Sequence, residues 1–561
     1  MSNAEFQIPG PLKFDIRHSK FDIPAVAVLG TASHVGKSVI AAGLCRILRR
    51  RGLRVAPFKA QNMSNNSFVT PLGGEIGRAQ ALQAEACGIP PTADMNPVLL
   101  KPESDGRSQV VVQGKVWRTE DARAYFSHGP ELFERVRESY GRLAAEHDVI
   151  VIEGAGSCAE VNLRDRDFVN WRTAELADAR VLLVADVDRG GVFAQVLGTL
   201  DLLAPEERRR VAGIVINRFR GDRTLFDDGV LILEERSGLP VLGVVPFLRD
   251  LALEEEDAVG VDGPSRVPFR ADAVNVAVVL LSRMSNFTDV RAPAAEPDVA
   301  LRWAATPADL AGADVVILPG SKATIADLAD LRRRGFAEAL AAHAARGGEL
   351  AGLCGGYQML GRSIADPGGV EGGGSAGGLG LLDVSTELLT NKFLTQVEAV
   401  ADGRLTSDGS ICNIVGYEIH LGVTQRAGGR AAFRIIRREG GTSDAHGPVE
   451  LLRNFEISKF RNNSATPGSS GEPIEDGCIS DNGRIWGTYL HGVFDAPGFR
   501  RAWLNRARAR KGLPPLPASV SEETTARLNG ALDRWADHLV QHLDLSTILE
   551  MPDPDGHANS K

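Results

Sequence analysis

Short uninterrupted apolar runs alternate with helix-periodic stretches through the first half of the chain. Val26–Leu29, Val149–Ile152, Val181–Ala185, Gly213–Ile216 and Val241–Val245 are apolar at successive positions. Strands covered on both faces read this way, whereas half-exposed strands alternate. From Ser38, the apolar positions Val39, Ile40, Leu44, Ile47 and Leu48 fall on one helical face, and Gly52 is placed to stop the helix. Strands alternating with helices predict a parallel α/β sheet. The pattern lapses between Leu251 and Pro268, where an acidic run, Glu254–Asp257, precedes Gly260, Gly263 and Pro264. That composition predicts a linker. The pattern resumes at Val274–Leu281, Val315–Leu318 and Glu349–Leu353. The expectation is α/β with two domains, 23–250 and 273–510, each a mostly parallel sheet flanked by helices. Around them lie an N-terminal extension (1–22), a linker (251–272) and a C-terminal helix with a disordered tail (511–561). Pro367–Gly380 and an insertion at about 426–476 read as loops, the second half of the insertion as mobile.

Composition narrows the function classes. The 561 residues hold 63 Lys and Arg against 72 Asp and Glu, a net charge of −9, with 43% hydrophobic and 6% aromatic residues. That is enough apolar material for two cores, and a mildly acidic chain argues against a nucleic-acid partner. No apolar run approaches the roughly 18 residues of a membrane helix, and Met1–Pro24 lacks the apolar centre of a secretion signal. The scattered cysteines, with no CxxC pair, fit a reducing cytoplasm. Homo-oligomerisation stays open.

Gly30-Thr31-Ala32-Ser33-His34-Val35-Gly36-Lys37-Ser38 joins a predicted strand to a predicted helix. Glycines there let backbone N–H groups crowd around phosphates at a helix N-terminus. Lys37 supplies a cation for the terminal phosphate, and the Ser38 hydroxyl a ligand for Mg²⁺. Five residues separate Gly30 from Gly36, where the usual phosphate loop has four. The longer loop resembles that of the dethiobiotin-synthetase-like, P-loop NTPase-like enzymes that act on carboxylates with ATP. Within that resemblance, Glu153, closing its strand before Gly-Ala-Gly-Ser, is placed to hold Mg²⁺. Lys59 matches a second lysine near the reacting phosphate, and Asn217 an adenine-contacting Asn. Gly30, Thr31, Gly36, Lys37, Ser38, Lys59 and Asn217 form the expected nucleotide site, with Ser38 and Glu153 as metal ligands.

A second chemical centre lies in the other half. Glu349–Leu353 reads as a strand, followed by Cys354-Gly355-Gly356 and a helical stretch to Leu360. A thiol on a sharp strand-to-helix turn is exposed and close to N–H groups that can hold an oxyanion. Far away, Trp486–Phe494 places His491 after a short strand. A Cys on an elbow with a distant His is the arrangement for thiolate catalysis. These motifs resemble a class I glutamine amidotransferase domain, which implies that Cys354 attacks the glutamine amide and His491 moves the protons. The class usually has a Glu two residues after the His, and here that residue is Val493. The branch fused to cobalamin-pathway amidases also lacks it.

An ATP site and an ammonia source on one chain predict a glutamine-dependent carboxamide ligase. A carboxylate is a poor electrophile until phosphorylated, and ammonium is no nucleophile until deprotonated. For the substrate, Pro57–Ser67, Gly74–Gln80, Asp94–Pro102, Asn162–Asp167, Asp188–Phe193, Asn217–Asp222, Ser285–Asp289 and Leu318–Thr324 together resemble the cobyric acid synthase family. The resemblance spans about 23 to 510. It implies amidation of four peripheral carboxylates (b, d, e and g) of an adenosylated corrinoid a,c-diamide, using ATP, Mg²⁺ and glutamine. Arg78, Arg107, Arg164, Arg166, Arg189 and Arg220 are candidates for holding such a polycarboxylate. Two alternatives share part of this pattern: a synthase acting on the a and c carboxylates, and a P-loop ATPase switch with an inactive amidotransferase domain. Partition-type switches of the latter shape carry an extra early-loop lysine, where this chain has Thr31 and Ala32.

Overall fold

Ala25–Gly30 lies at the centre of a six-stranded, all-parallel sheet in a computed structural model that describes residues 23–103, 106–249, 251, 253, 267–439 and 474–550. Across the sheet the order is Val241–Pro246, Val211–Phe219, Arg180–Asp186, Ala25–Gly30, Val149–Glu153, Val55–Phe58. Every residue of Ala25–Gly30 and Val149–Glu153 is buried, as continuous apolar runs require of strands with helices on both faces. Helix α1 (Lys37–Arg50) follows the central strand and buries Val39, Ile40, Leu44, Ile47 and Leu48. Gly52, at φ +84°, takes the left-handed turn that ends it.

The outer face of α1 is covered by the far end of the chain. In helix α4 (Thr524–His542), Leu532, Trp535, Ala536 and Leu539 share one core with α1. Trp535 donates its indole N–H to Val39 O at 2.6 Å, and Arg46 pairs with Asp533 at 2.8 Å. Beyond the helix, Asp544 N–H donates to Leu242 O, so the chain returns to the edge of the first sheet. The amphipathic pattern of 524–542 predicts a helix but not this partner. Of the expected 511–561 appendage, the stretch from Leu528 to Ile548 is part of the first core, while Lys511 and Ser521 bond residues of the second half.

The second sheet runs Val299–Ala304, Val274–Val279, Val315–Leu318, Glu349–Leu353, Ile485–Thr488, Cys478–Ile479, all parallel except the last strand. A third sheet is built on the long antiparallel pair Val384–Ala401 and Asn413–Arg426. Two segments read as loops are partly strand. Gly374–Gly377 pairs with Ser363–Asp366. Phe433–Glu439 pairs with Val384–Ala401, because Phe433 and Ile435 alternate with exposed neighbours to cover the core. The extension 1–22, most of the linker, the tail 551–561 and the stretch 440–473, which holds most of the insertion's second half predicted as mobile, lie outside the described residues. Among the described residues no helix is long and apolar enough to cross a membrane.

The two halves meet at a polar seam. Glu75, fully buried, pairs with Lys101 at 2.6 Å and with Lys392 of the second half. Its burial opposes ionisation, but the two ammonium groups outweigh that and hold its carboxyl well below the usual range. Lys322 pairs with Glu103 at 3.0 Å across the same seam. Phe68 and Val69 pack on Leu394, Tyr417 and Ile419.

Candidate active site

The phosphate loop forms because its strand ends where backbone, not side chain, must turn. Gly36 sits at φ +93°, and a Cβ there would lie 2.1 Å from Asn217 Nδ2. No other residue fits both the conformation and the space. Lys37 Nζ donates to Ala32 O at 2.9 Å and to Gly156 O at 2.8 Å, spanning the loop's mouth. Thr31 N–H donates to Val184 O, fixing the loop to the neighbouring strand. Asn217 Nδ2 donates to Val35 O at 2.9 Å. Its amide therefore braces the loop from beneath, a contact not foreseen from its adenine-type match.

Ser38, Lys59 and Glu153 come together as the sequence suggests. Glu153 Oε1 accepts from Ser38 Oγ at 2.7 Å and from Lys59 Nζ at 2.8 Å. Its Oε2 accepts from Gln83 Nε2 at 2.6 Å and Gln80 Nε2 at 3.3 Å, both on helix α2 (Arg78–Cys87). Burial would raise the carboxyl pKa, but Lys59 and these donors lower it below the usual range. Gln80 carried no signal of this role beyond closing the stretch Gly74–Gln80, and Gln83 carried none, since an i, i+3 pair of glutamines on a helix is common.

A cleft of about 860 Å³ opens over this loop. Arg166, Arg189 and Arg220 line it, and so do Arg218 and Arg291, which the sequence reading passed over. Arg78, Arg107 and Arg164 do not. Arg78 lies over the Phe68 ring, Arg107 is the exposed first residue of the strand Arg107–Val112, and Arg164 bonds Leu202 O and Glu207 on another face.

The second centre has the predicted elbow. Cys354 adopts φ +50°, ψ −108° between Glu349–Leu353 and the short helix α3 (Gly355–Leu360). A β-carbon-bearing residue at such angles is strained, which the flanking structure must hold in place. Cys354 N–H is fixed to Thr488 O at 2.8 Å. Gly356 lets the elbow press on the adjacent strand end, where a Cβ would meet Leu318 O at 2.0 Å. The thiol donates to Ile419 O at 3.6 Å.

His491 lies beside this sulfur on Leu490–His491, stacked on the Tyr417 ring at 5.3 Å. Its Nδ1 is 2.7 Å from Asp289 Oδ2, whose other oxygen accepts from Gly492 N–H at 2.9 Å. Asp289 thus occupies the orienting role that the missing Glu leaves open. Burial alone would lower the imidazole pKa, but Asp289, by charge and hydrogen bond, and then Cys354, push it up to about 10. Nε2 is left facing the sulfur with no hydrogen-bond partner. Asp289 closes the quoted stretch Ser285–Asp289, but its separation from His491 leaves spacing no means of pairing them.

Part of the segment predicted as an insertion backs this site. Arg438, on Phe433–Glu439, makes two hydrogen bonds to the buried Glu418, at 2.7 and 2.8 Å. Glu418 pairs in register with Leu490, next to His491.

Comparison with known proteins finds two family matches along the chain. Residues 26–259 match the CobQ/CobB/MinD/ParA nucleotide binding domain, and residues 275–499 the CobB/CobQ-like glutamine amidotransferase domain. A cobyric acid synthase of Sorangium cellulosum is 48% identical over 537 residues, covering 93% of this chain and 97% of that one. One of Syntrophobacter fumaroxidans is 47% identical over 529 residues, with the same coverage. One of Chlorobium phaeobacteroides is 47% identical over 530 residues, 94% of this chain and 98% of its own. The chain belongs to the cobyric acid synthase family.

Proposed function

We propose that this member of the cobyric acid synthase family amidates the four peripheral carboxylates (b, d, e and g) of adenosylated cobyrinic acid a,c-diamide, drawing nitrogen from glutamine and activation from ATP. The observation that carries the reading is that Cys354, His491 and Asp289 form a complete thiol site on the same chain as the Ser38–Glu153–Lys59 cluster.

At the thiol site, the Cys354 thiolate attacks the glutamine side-chain carbonyl. The Gly355 and Gly356 turn brings backbone N–H groups toward the oxygen that gains charge. His491 Nε2 gives its proton to the departing nitrogen, releasing ammonia and leaving a thioester. Water then attacks, His491 takes a proton from it, and glutamate and free thiol are regenerated. Asp289 holds Nδ1–H throughout, fixing the tautomer that keeps Nε2 toward sulfur.

At the phosphate loop, a corrinoid carboxylate attacks the γ-phosphate of ATP, giving an acyl phosphate and ADP. Ammonia then displaces phosphate to form the amide. Lys37 and Lys59 supply positive charge beside the transferring group. Two hard oxygens, Ser38 Oγ and Glu153 Oε1, converge at 2.7 Å, the donor type Mg²⁺ selects. Among the described residues no three His, Cys, Asp or Glu side chains form a metal cage, so nucleotide phosphates would complete the set. Bound there, Mg²⁺ would neutralise phosphate charge. Arg166, Arg189 and Arg220 bind peripheral carboxylates of the corrinoid.

The test is mass spectrometry of the reaction with glutamine, ATP and the corrinoid diamide, sampled over time. Four successive losses of about one mass unit each, one per carboxylate-to-amide exchange, are expected. A product amidated only at a and c from the undecorated corrinoid would assign the alternative synthase. The complete thiol site supports an active amidotransferase over the switch alternative.

A further inference from the structure

We infer that Asn286 and Arg291 make one short turn, residues 286–291, the element that ties occupancy of the acid-binding cleft to the position of His491. Arg291 acts as a substrate-carboxylate contact and Asn286 as a positioning residue. The inference rests on the function proposed above.

Three separate jobs converge on this turn. Arg291 lines the cleft over the phosphate loop, although it belongs to the amidotransferase half. Asp289, two residues earlier, holds His491 Nδ1. Asn286 and Phe287 clasp the nucleotide half. Asn286 Oδ1 accepts from Ser67 N–H at 3.1 Å, and Asn66 Oδ1 accepts from Phe287 N–H at 3.3 Å. Both asparagines are buried, 2% and 5% exposed, so this clasp is shielded from competing water. Asn286 is also left-handed, at φ +49°, ψ +40°, and its carbonyl accepts from Asp289 N–H at 3.2 Å. A shift of the Asn286 backbone therefore moves the carboxylate that orients the imidazole.

The clasped segment leads back to the phosphate loop. Asn66 O accepts from Arg78 N–H at 3.1 Å, at the first residue of α2. That helix carries Gln80 and Gln83, the two amides that grip Glu153 Oε2. Ser67 O in turn accepts from Tyr417 OH at 3.3 Å, and the Tyr417 ring lies on the His491 imidazole. Both supports of His491, the Asp289 carboxylate and the Tyr417 ring, are thus bonded to residues 66–67 or to the turn that clasps them. In this arrangement the Cys354 thiol donates to Ile419 O, and Nε2 has no hydrogen bond. The position of the imidazole decides how Nε2 meets the sulfur. A corrinoid carboxylate on Arg291 and a phosphate-bearing nucleotide at Glu153 both act on the elements that set that position. Coupling between two such sites is typically worth about 5- to 150-fold.

The experiment measures glutamine hydrolysis by the full-length enzyme with glutamine alone, and again with ATP, Mg²⁺ and the corrinoid diamide. Wild type should be stimulated at least about fivefold. Asn286→Gly keeps the left-handed backbone and removes the acceptor, and Asn286→Asp keeps both. Stimulation should fall to near onefold in the Gly variant and persist in the Asp variant, while ligation driven by added ammonium salt stays within about twofold in both. Arg291→Gln should raise the corrinoid KM of the ammonium-driven reaction and reduce stimulation. Stimulation retained in Asn286→Gly, or lost equally in Gly and Asp, overturns the inference. A second measurement needs no variant. Deuterium uptake across residues 284–293 of wild type should fall on adding corrinoid with ATP and Mg²⁺, and unchanged uptake also overturns it. Wild type that forms no amide at all would instead sink the proposed function, which separates the two failures.

Discussion

Asp289 Oδ2 lies 2.7 Å from His491 Nδ1, joining two residues 202 positions apart into one hydrogen-bonded pair. The carboxylate belongs to a turn that precedes the elbow cysteine, not to the strand that carries the histidine. Replacing it by an amide tests the pair. Asp289→Asn should lower glutamine hydrolysis about 10²- to 10⁴-fold, because the amide cannot hold the required tautomer. It should leave ligation with ammonium salts intact.

The same pair sets a pH signature. The imidazole pKa is raised to about 10, above the unfolded value near 6.5. Its contribution to stability is therefore fully present below about pH 6.5 and is lost as pH rises through about 10. Wild type should lose more stability than Asp289→Asn across that window, read by chemical denaturation at several pH values. Any limb of the glutaminase profile that needs the imidazolium should lie near pH 10 and move down toward about 6.5 in the variant.

The two centres should separate cleanly by mutation. Cys354→Ala should abolish glutamine use and leave ammonium-driven amidation. Lys37→Ala should abolish both, since its ammonium spans the phosphate loop through Ala32 O and Gly156 O. Paired assays with each nitrogen source check this. Loss of the ammonium-driven reaction in a folded Cys354→Ala protein would contradict the division of labour.

Glu153→Gln removes the charge that compensates buried Lys59. Stranding that ammonium should cost about 3–5 kcal/mol and eliminate Mg²⁺-dependent protection by ATP in thermal melts. The Glu153 carboxyl pKa is lowered, so its contribution to stability is present above the unfolded value and lost as pH falls below it. Wild type should lose that increment on acidification, and Glu153→Gln should not.

Much of this was legible in the chain, for identifiable reasons. The strands of the first sheet are buried on both faces, so their apolar runs are unbroken. The phosphate loop and the cysteine elbow are local, and their glycines mark backbone that a side chain would block. What escaped is non-local. Asp289 reaches His491 only through the tertiary fold, as Gln80 and Gln83 reach Glu153. Phe433–Glu439 was hidden because its two inward residues are flanked by Gly-rich sequence that reads as a turn. The arginines divide by topology: Arg166 and Arg220 face the cleft while Arg164 does not, and residue type alone could not tell them apart.

Helix α4 supplies a stability test. Trp535 is 3% exposed and bonded to Val39 O. Trp535→Ala should cost about 3–5 kcal/mol, measured by denaturation followed through ATP binding. The Cys354 site, which draws on other clusters, should unfold in a separate step or later.

That helix also dictates a timetable for biogenesis. Residues 524–543 are translated after both sheets, yet they seal the core begun by residues 25–50. The ammonia-producing half is translated, and free to fold, while the ATP-consuming half still waits for its lid. A truncated or unfinished chain therefore cannot assemble a finished phosphotransfer centre without its nitrogen supply already in place.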